Sequence, residues 1–333
     1  MAIQHYEGKL GTFDYDDEMF TLRKTKYTIA ATNTVKEDEF LEFNDSYEGP
    51  ISLPKGITST RSMFACCKNL ERCWFEDFDT SNVTNMGSMF YHCLIPNGFS
   101  LGDKFDTSNV TNMSAMFQGC EMRGEFSLGD KFDTSQVMDM SDMFADVHLP
   151  NNFTLGDKFD TSQVTNMNKM FDSAYIPDNF TLGDKFDTSN VRSMVRMFGC
   201  CEMSNGFSLG DKFDTSNVEN MRNMFRDMSL PVDFTLGDKF DTSKVENMDF
   251  MFEDCIFKGS QFKFGDKFIV NPINCEEMFN NVTIAGKPGK IHINEDGKID
   301  VFRPMSEVEM AVLKEAKEIA QMTTEDISID IYW

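Results

Sequence analysis

The tetrapeptide Phe-Asp-Thr-Ser recurs with its Asp at 79, 106, 133, 160, 187, 214 and 241, always 27 residues apart. A strict period of this length restricts a chain to repeat architectures, in which each unit is one small supersecondary element stacked on the next. A second marker, Met-Phe, extends the array on both sides, from Met63-Phe64 through Met170-Phe171 to Met278-Phe279, giving nine units with the outer two degraded. The 333 residues therefore divide by period and not by average domain size. The expected division is a β-rich N-terminal cap over 1–55, a nine-unit solenoid over 56–284, and a C-terminal hairpin-plus-helix cap over 285–333.

Within one unit, Val110, Met113, Met116, Phe117 and Cys120 fall at i, i+3, i+6, i+7 and i+10, the stripe of a short helix with one buried face. Asp106, Thr107 and Ser108 precede it, where side-chain oxygens cap free N–H groups. Phe99-Ser100-Leu101 alternates as a short strand does, Gly102-Asp103-Lys104 reads as a turn, and Phe105 returns to the core. The predicted unit is strand, turn, helix, return. Ordering its backbone costs about 1–2 kcal/mol per residue, and its few apolar side chains, each about 1.5–3 kcal/mol when buried, do not offset that in isolation. Stacking on neighbours is therefore obligatory, and the ends need covers.

At the N-terminus, Lys9 to Leu22 reads as strands around an acidic turn. At the C-terminus, Asp296-Gly297 between alternating segments predicts a hairpin. Ser306 and Glu309 then form a capping box for a helix to about Met322.

The core filler is unusual, with 33 Phe and 25 Met. The net charge of −24 disfavours direct binding to nucleic acid or an anionic membrane. The first residues lack a basic stretch followed by an apolar run, and no segment approaches the ~20 apolar residues of a membrane span. A cytoplasmic location is expected, with the cell surface as the alternative. Nine Cys, an odd number, fit a reducing compartment better than a disulfide framework.

The run Phe105-Asp106-Thr107-Ser108-Asn109-Val110-Thr111-Asn112-Met113-Ser114-Ala115-Met116-Phe117-Gln118-Gly119-Cys120 resembles the BspA-like, leucine-rich-repeat-type family, in its mycoplasma-lipoprotein-associated branch. The resemblance covers roughly residues 57–282. It implies a right-handed α/β solenoid with a parallel sheet on one side and short helices on the other, and a role in adhesion or interaction.

No catalytic constellation is assembled. The four His (His5, His92, His148 and His292) sit at unrelated positions in the unit, and no phosphate-binding glycine loop occurs. The Cys at 67, 93, 120, 201 and 255 interchange with Val147, Ala174, Met228 and Val282, which marks a buried slot and not a metal site. The two Asp columns, of Phe-Asp-Thr-Ser and of Gly-Asp-Lys, read as caps and Lys partners before calcium ligands. No cofactor is expected. The presumed outward sheet position, Ser100, Ser127, Thr154, Thr181, Ser208 and Thr235, is nearly uniform and so reads as packing.

The presumed helix face differs between repeats. Lys169 and Arg196 share one column, Arg222 lies one residue before it in the next unit, and Arg192 and Arg226 stand four residues from Arg196 and Arg222. These five cations are the candidate site, for an acidic segment of a protein partner, against the plainer reading of charge balance such as Glu219 with Arg222. The expected function is a non-catalytic protein–protein interaction module. The alternatives are an acidic nucleic-acid mimic, of the phage or mobile-element inhibitor kind, and a surface adhesin.

Overall fold

A computed structural model of the chain describes residues 3–8, 11–16, 18–29, 34–178, 180–203, 206–260 and 262–322. It consists of repeated units with many short strands in small sheets, and the one α-helix among the described residues, Glu307–Met322, lies outside the repeats.

The helix expected over 110–120 does not form. Instead, the N–H groups of Met113, Ala115, Phe117 and Gly119 donate to the carbonyls of Asp139, Ser141, Met143 and Ala145 in the next unit, at 2.7–3.0 Å. Those of Met116, Gln118 and Cys120 donate to Met113, Ala115 and Phe117 within the unit, at 3.1–3.2 Å. The segment is a run of β-turns in which every second N–H reaches a neighbour. The third residues of two of these turns, Ala115 (φ 54°) and Gly119 (φ 65°), are left-handed, as type II turns require. A non-Gly residue there costs about 1–2 kcal/mol. Asp142, Asp146, Asn223, Asp227 and Asp254 fill several of these positions, and their side chains tolerate that region best. A helix would spend all its N–H groups on itself. The turns bury the same Val, Met and Phe positions while bonding each unit to the next, so the periodicity was read correctly and its backbone was not.

The Phe-Asp-Thr-Ser corner is corrected in the same way. Asp106 Oδ1 accepts the N–H of Ser108 at 3.0 Å, and so closes a local turn without capping a helix. Thr107, fully buried, donates its hydroxyl to the carbonyl of Asp133 in the next unit at 2.7 Å. Thr80, Thr134, Thr161, Thr188 and Thr215 repeat that bond at 2.7–2.8 Å, forming a ladder of buried hydroxyls. At the start of the turn run, Asn112 Oδ1 holds the N–H of Ser114 at 3.0 Å.

The alternation at Phe99-Ser100-Leu101 also buries as expected, but these residues form no strand. The parallel pairing lies earlier in the unit, where Leu94–Ile95 pairs Glu121–Met122, Tyr175–Ile176 pairs Glu202–Met203, and Ser229–Leu230 pairs Ile256–Phe257. A second parallel ladder of single bridges runs through Ser59, Asn85, Asn112, Asp139, Asn166, Ser193, Asn220 and Asn247.

Phe rings stack along the repeats. From Phe64 through Phe171 to Phe279, neighbouring rings of the Met-Phe column lie 5.3–5.9 Å apart and within 13° of parallel. A second column, through Phe78, Phe105, Phe132, Phe159 and Phe186, keeps 6.2–6.5 Å. Phe43, at the end of the antiparallel pair Phe20–Ile29 and Thr34–Phe43, continues the first column, 5.2 Å from Phe64.

At the other end, Thr283–Ile284 pairs antiparallel with Lys287–Ile293, which pairs with Ile299–Pro304, and the change of direction ends the parallel array. Gly297 closes this hairpin with φ 75°, and a Cβ there would sit 2.4 Å from the carbonyl of Val270. The capping box forms, with Ser306 N–H on Glu309 Oε2 at 2.9 Å and Glu309 N–H on Ser306 Oγ at 3.3 Å. Of the expected acidic turn near the N-terminus, Asp17 lies outside the described residues.

Candidate interaction surface

The five cations sit on the turn run and not on helices, and Lys169 and Arg196 occupy left-handed positions at φ 56° and 54°. Their partners are mostly at hand. Arg196 Nε and Nη2 reach the Asp172 carboxylate of the preceding unit at 3.0–3.2 Å, with Asp172 itself largely buried. Burial pulls the Arg196 guanidinium down, but the hydrogen bond and charge of Asp172 outweigh it and hold its pKa above the ordinary value.

Arg226 Nε lies 2.9 Å from Glu253 Oε2 in the following unit. That oxygen is buried and lacks a well-aligned hydrogen bond, so the contact is a charge pair without ideal donor geometry. Arg192 Nη1 meets Glu219 Oε1 at 2.8 Å, both exposed. The expected local partner of Glu219, Arg222, lies instead over the Phe250 ring at 5.2 Å. Arg222 and Lys169 have no ion pair among the described residues, although Lys169 opposes the upward push that burial gives the Asp142 carboxyl.

The sheet face holds what the sequence reading missed. The exposed position of the parallel ladder is occupied in successive units by Leu94, Glu121, His148, Tyr175, Glu202, Ser229, Ile256 and Thr283. The neighbouring position turned inward holds Ile95, Met122, Leu149, Ile176, Met203, Leu230, Phe257 and Ile284, all buried. An invariantly apolar column thus flanks one that varies in charge, size and aromaticity. The Ser/Thr column from Ser100 to Thr235 is exposed but off the sheet, and its members Ser100, Ser127 and Thr154 line an open polar groove of roughly 670 Å³ between 98–105 and 125–131. There, Ser100 and Ser127 accept the N–H groups of Gly102 and Gly129. A legible signal existed in the sequence, since the position right after the Cys/Val/Ala/Met slot varies while the next one stays apolar.

On that face His148 and Tyr175 stack with centroids 4.1 Å apart and rings 11° from parallel. Glu121, one unit before His148, is paired with Arg123 Nε at 2.7 Å. Glu202, in register with Tyr175, has no ion pair among the described residues.

Burial raises the thiols of Cys201 and Cys255 well above the ordinary range and that of Cys120 to about 12, and at Cys93 a hydrogen bond with Cys67, followed by burial, also raises the thiol well above it. Among the described residues no three His, Cys, Asp or Glu side chains converge to hold a metal ion, and no helix is long and apolar enough to cross a membrane.

Five overlapping stretches, 53–152, 95–206, 122–231, 148–264 and 179–288, match one family model, described as Mycoplasma protein of unknown function, DUF285. No curated protein and no solved structure matches the chain. The stepped matches follow the stacked repeats and together run from 53 to 288, more than half of the chain, which therefore belongs to the DUF285 family of mycoplasma proteins.

Proposed function

We propose that this chain is a non-catalytic protein-interaction module: a right-handed repeat solenoid of the leucine-rich-repeat type, akin to the BspA-like proteins, that offers its parallel ladder to a protein partner. One observation carries the reading. On the parallel ladder, beside an inward column that stays apolar, the outward position alternates among Leu, Glu, His, Tyr, Ser, Ile and Thr. That column keeps the large side chains of Tyr175 and Ile256 exposed, where solubility alone favours polar ones. Rigid stacking holds the varied side chains in line at about 4.8 Å per unit, which preorganises an extended surface. The scattered His and the absence of a nucleophile–base pairing in the sequence support the non-catalytic part, and the −24 charge supports a partner other than nucleic acid. A cytoplasmic setting belongs to the same reading.

Affinity capture with matched baits tests it. A bait carrying Glu121→Ala, Tyr175→Ala and Glu202→Ala should lose the partner that wild type retains, and one carrying Ser127→Ala and Thr154→Ala should keep it, with unchanged melting curves. The opposite pattern sinks the reading.

A second reading places an acidic partner segment across the turn face. It is favoured by Lys169 and Arg222, the two of the five cations without an ion pair among the described residues, and it engages Arg192, Arg196 and Arg226 only by displacing their present partners. Loss of the partner on Arg222→Glu, with the ladder variant silent, selects it.

A further inference from the structure

We infer that the ladder face takes an arginine side chain of a basic partner segment, laid on the free face of Tyr175 and paired with Glu202. The inference rests on the ladder face being the interaction surface and names the chemistry it reads. Tyr175 is partly exposed, with one ring face covered by His148 in the preceding unit. Because the rings stack nearly parallel along the repeat axis, the other face is turned to the next unit, where Glu202 stands in register.

Adjacent parallel strands lie about 4.8 Å apart, so a carboxylate and an aromatic face adjoin one ligand-sized space. A planar guanidinium satisfies both at once, stacking on the ring and donating two parallel hydrogen bonds to the carboxylate. An ammonium is a point charge and does not combine the two. The side of the stack is decided by pairing: Glu121, beyond His148, is already held by Arg123, whereas Glu202 is not paired among the described residues. Exposed Asp146 and Asp178, two residues before His148 and three after Tyr175, add negative potential that draws a cation inward and disfavours an acidic segment.

The test uses the full chain and a Gly-Arg-Gly-Arg-Gly peptide, with lysine and citrulline counterparts, at about 150 mM salt so that diffuse attraction to an acidic protein is screened. The arginine peptide should shift the Tyr175 and His148 ring resonances in NMR spectra, the lysine peptide should bind more weakly, and the citrulline peptide should not bind. Tyr175→Ala and Glu202→Gln should each weaken arginine-peptide binding about tenfold, while Asp238→Asn, an exposed carboxylate on a loop, should leave it unchanged. Equal weakening by Asp238→Asn, no effect of Tyr175→Ala, or equal binding of citrulline overturns the assignment. If a variant fails to fold by circular dichroism, the wild-type ring shifts decide alone. A captured partner that needs the ladder column but is not displaced by the arginine peptide overturns this assignment and leaves the interaction face standing, whereas indifference to the ladder column removes both.

Discussion

Arg196 holds Asp172 of the preceding repeat through three nitrogen–oxygen contacts of 3.0–3.2 Å. The space for this pair exists because position 199 is glycine, where a Cβ would lie 2.9 Å from Asp172 Oδ1 and 3.4 Å from the carbonyl of Asn223. The pair thus ties three consecutive units to one missing methyl group. Gly199→Ala should destabilise the chain by about 1–2 kcal/mol, the usual scale of overpacking. Much of that cost should vanish in an Asp172→Ala background, where the crowded oxygen is gone. Urea unfolding of the two single variants and the double variant measures the coupling.

The threonine ladder predicts a hydrogen-bond effect free of shape change. Thr161 is fully buried and donates to the carbonyl of Asp187 at 2.7 Å. Thr161→Val keeps the volume but leaves that carbonyl short of a donor, at a cost of about 1–3 kcal/mol. Thermal melting checks it, and a melt equal to wild type would show that the ladder adds no net stability.

Met140 and Met167 lie at 0 % exposure between neighbouring units. Aspartate at either site puts a charge in a shared dry core, at a cost of several kcal/mol. Because each repeat is stable only through its neighbours, several should unfold together. A broadened or biphasic melt by circular dichroism, with repeats near the substitution losing amide-exchange protection first, is the expected result.

Acidification should weaken the stack through its corner aspartates. The N–H and hydroxyl of Ser81 lower the Asp79 carboxyl below the ordinary range. At Asp160 and Asp241 burial pushes upward, but the hydroxyl and N–H of Ser162 and Ser243 prevail. A folded-state pKa below the unfolded one gives stability that is present above the unfolded value, near 4, and is lost as pH falls through the folded value. Melting temperature should therefore fall below about pH 4. Asp160→Asn, which still accepts the Ser162 N–H but carries no charge, should flatten that slope by lowering the melting temperature at neutral pH toward its acid value.

The cysteines should separate by exposure under a thiol reagent at neutral pH. Exposed Cys66 should react first, partly buried Cys200 and Cys275 more slowly, and Cys67, Cys73, Cys93, Cys120, Cys201 and Cys255 only on unfolding. Burial raises the Cys120 thiol to about 12, which leaves almost no thiolate. Mass spectrometry of the alkylated peptides reads the order, and reductant should leave the melting temperature unchanged.

Chain chemistry alone determined the 27-residue period, the in-or-out sense of Val110, Met113, Met116, Phe117 and Cys120, and the Asp296-Gly297 hairpin with its Ser306/Glu309 cap. Each depends on local residue order. The backbone that carries the stripe was decided only by stacking, because spacings of three and four bury the same side chains in a helix or in a run of turns. The choice rests on N–H groups such as that of Phe117, bonded to Met143 one repeat away. The same long-range bonds moved the parallel ladder from Ser100 to Leu94, Tyr175 and Glu202, and joined Arg196 to Asp172 across units. A single unit contains half of each of these contacts, so its sequence fixes which residues are buried but not which face the neighbours leave open.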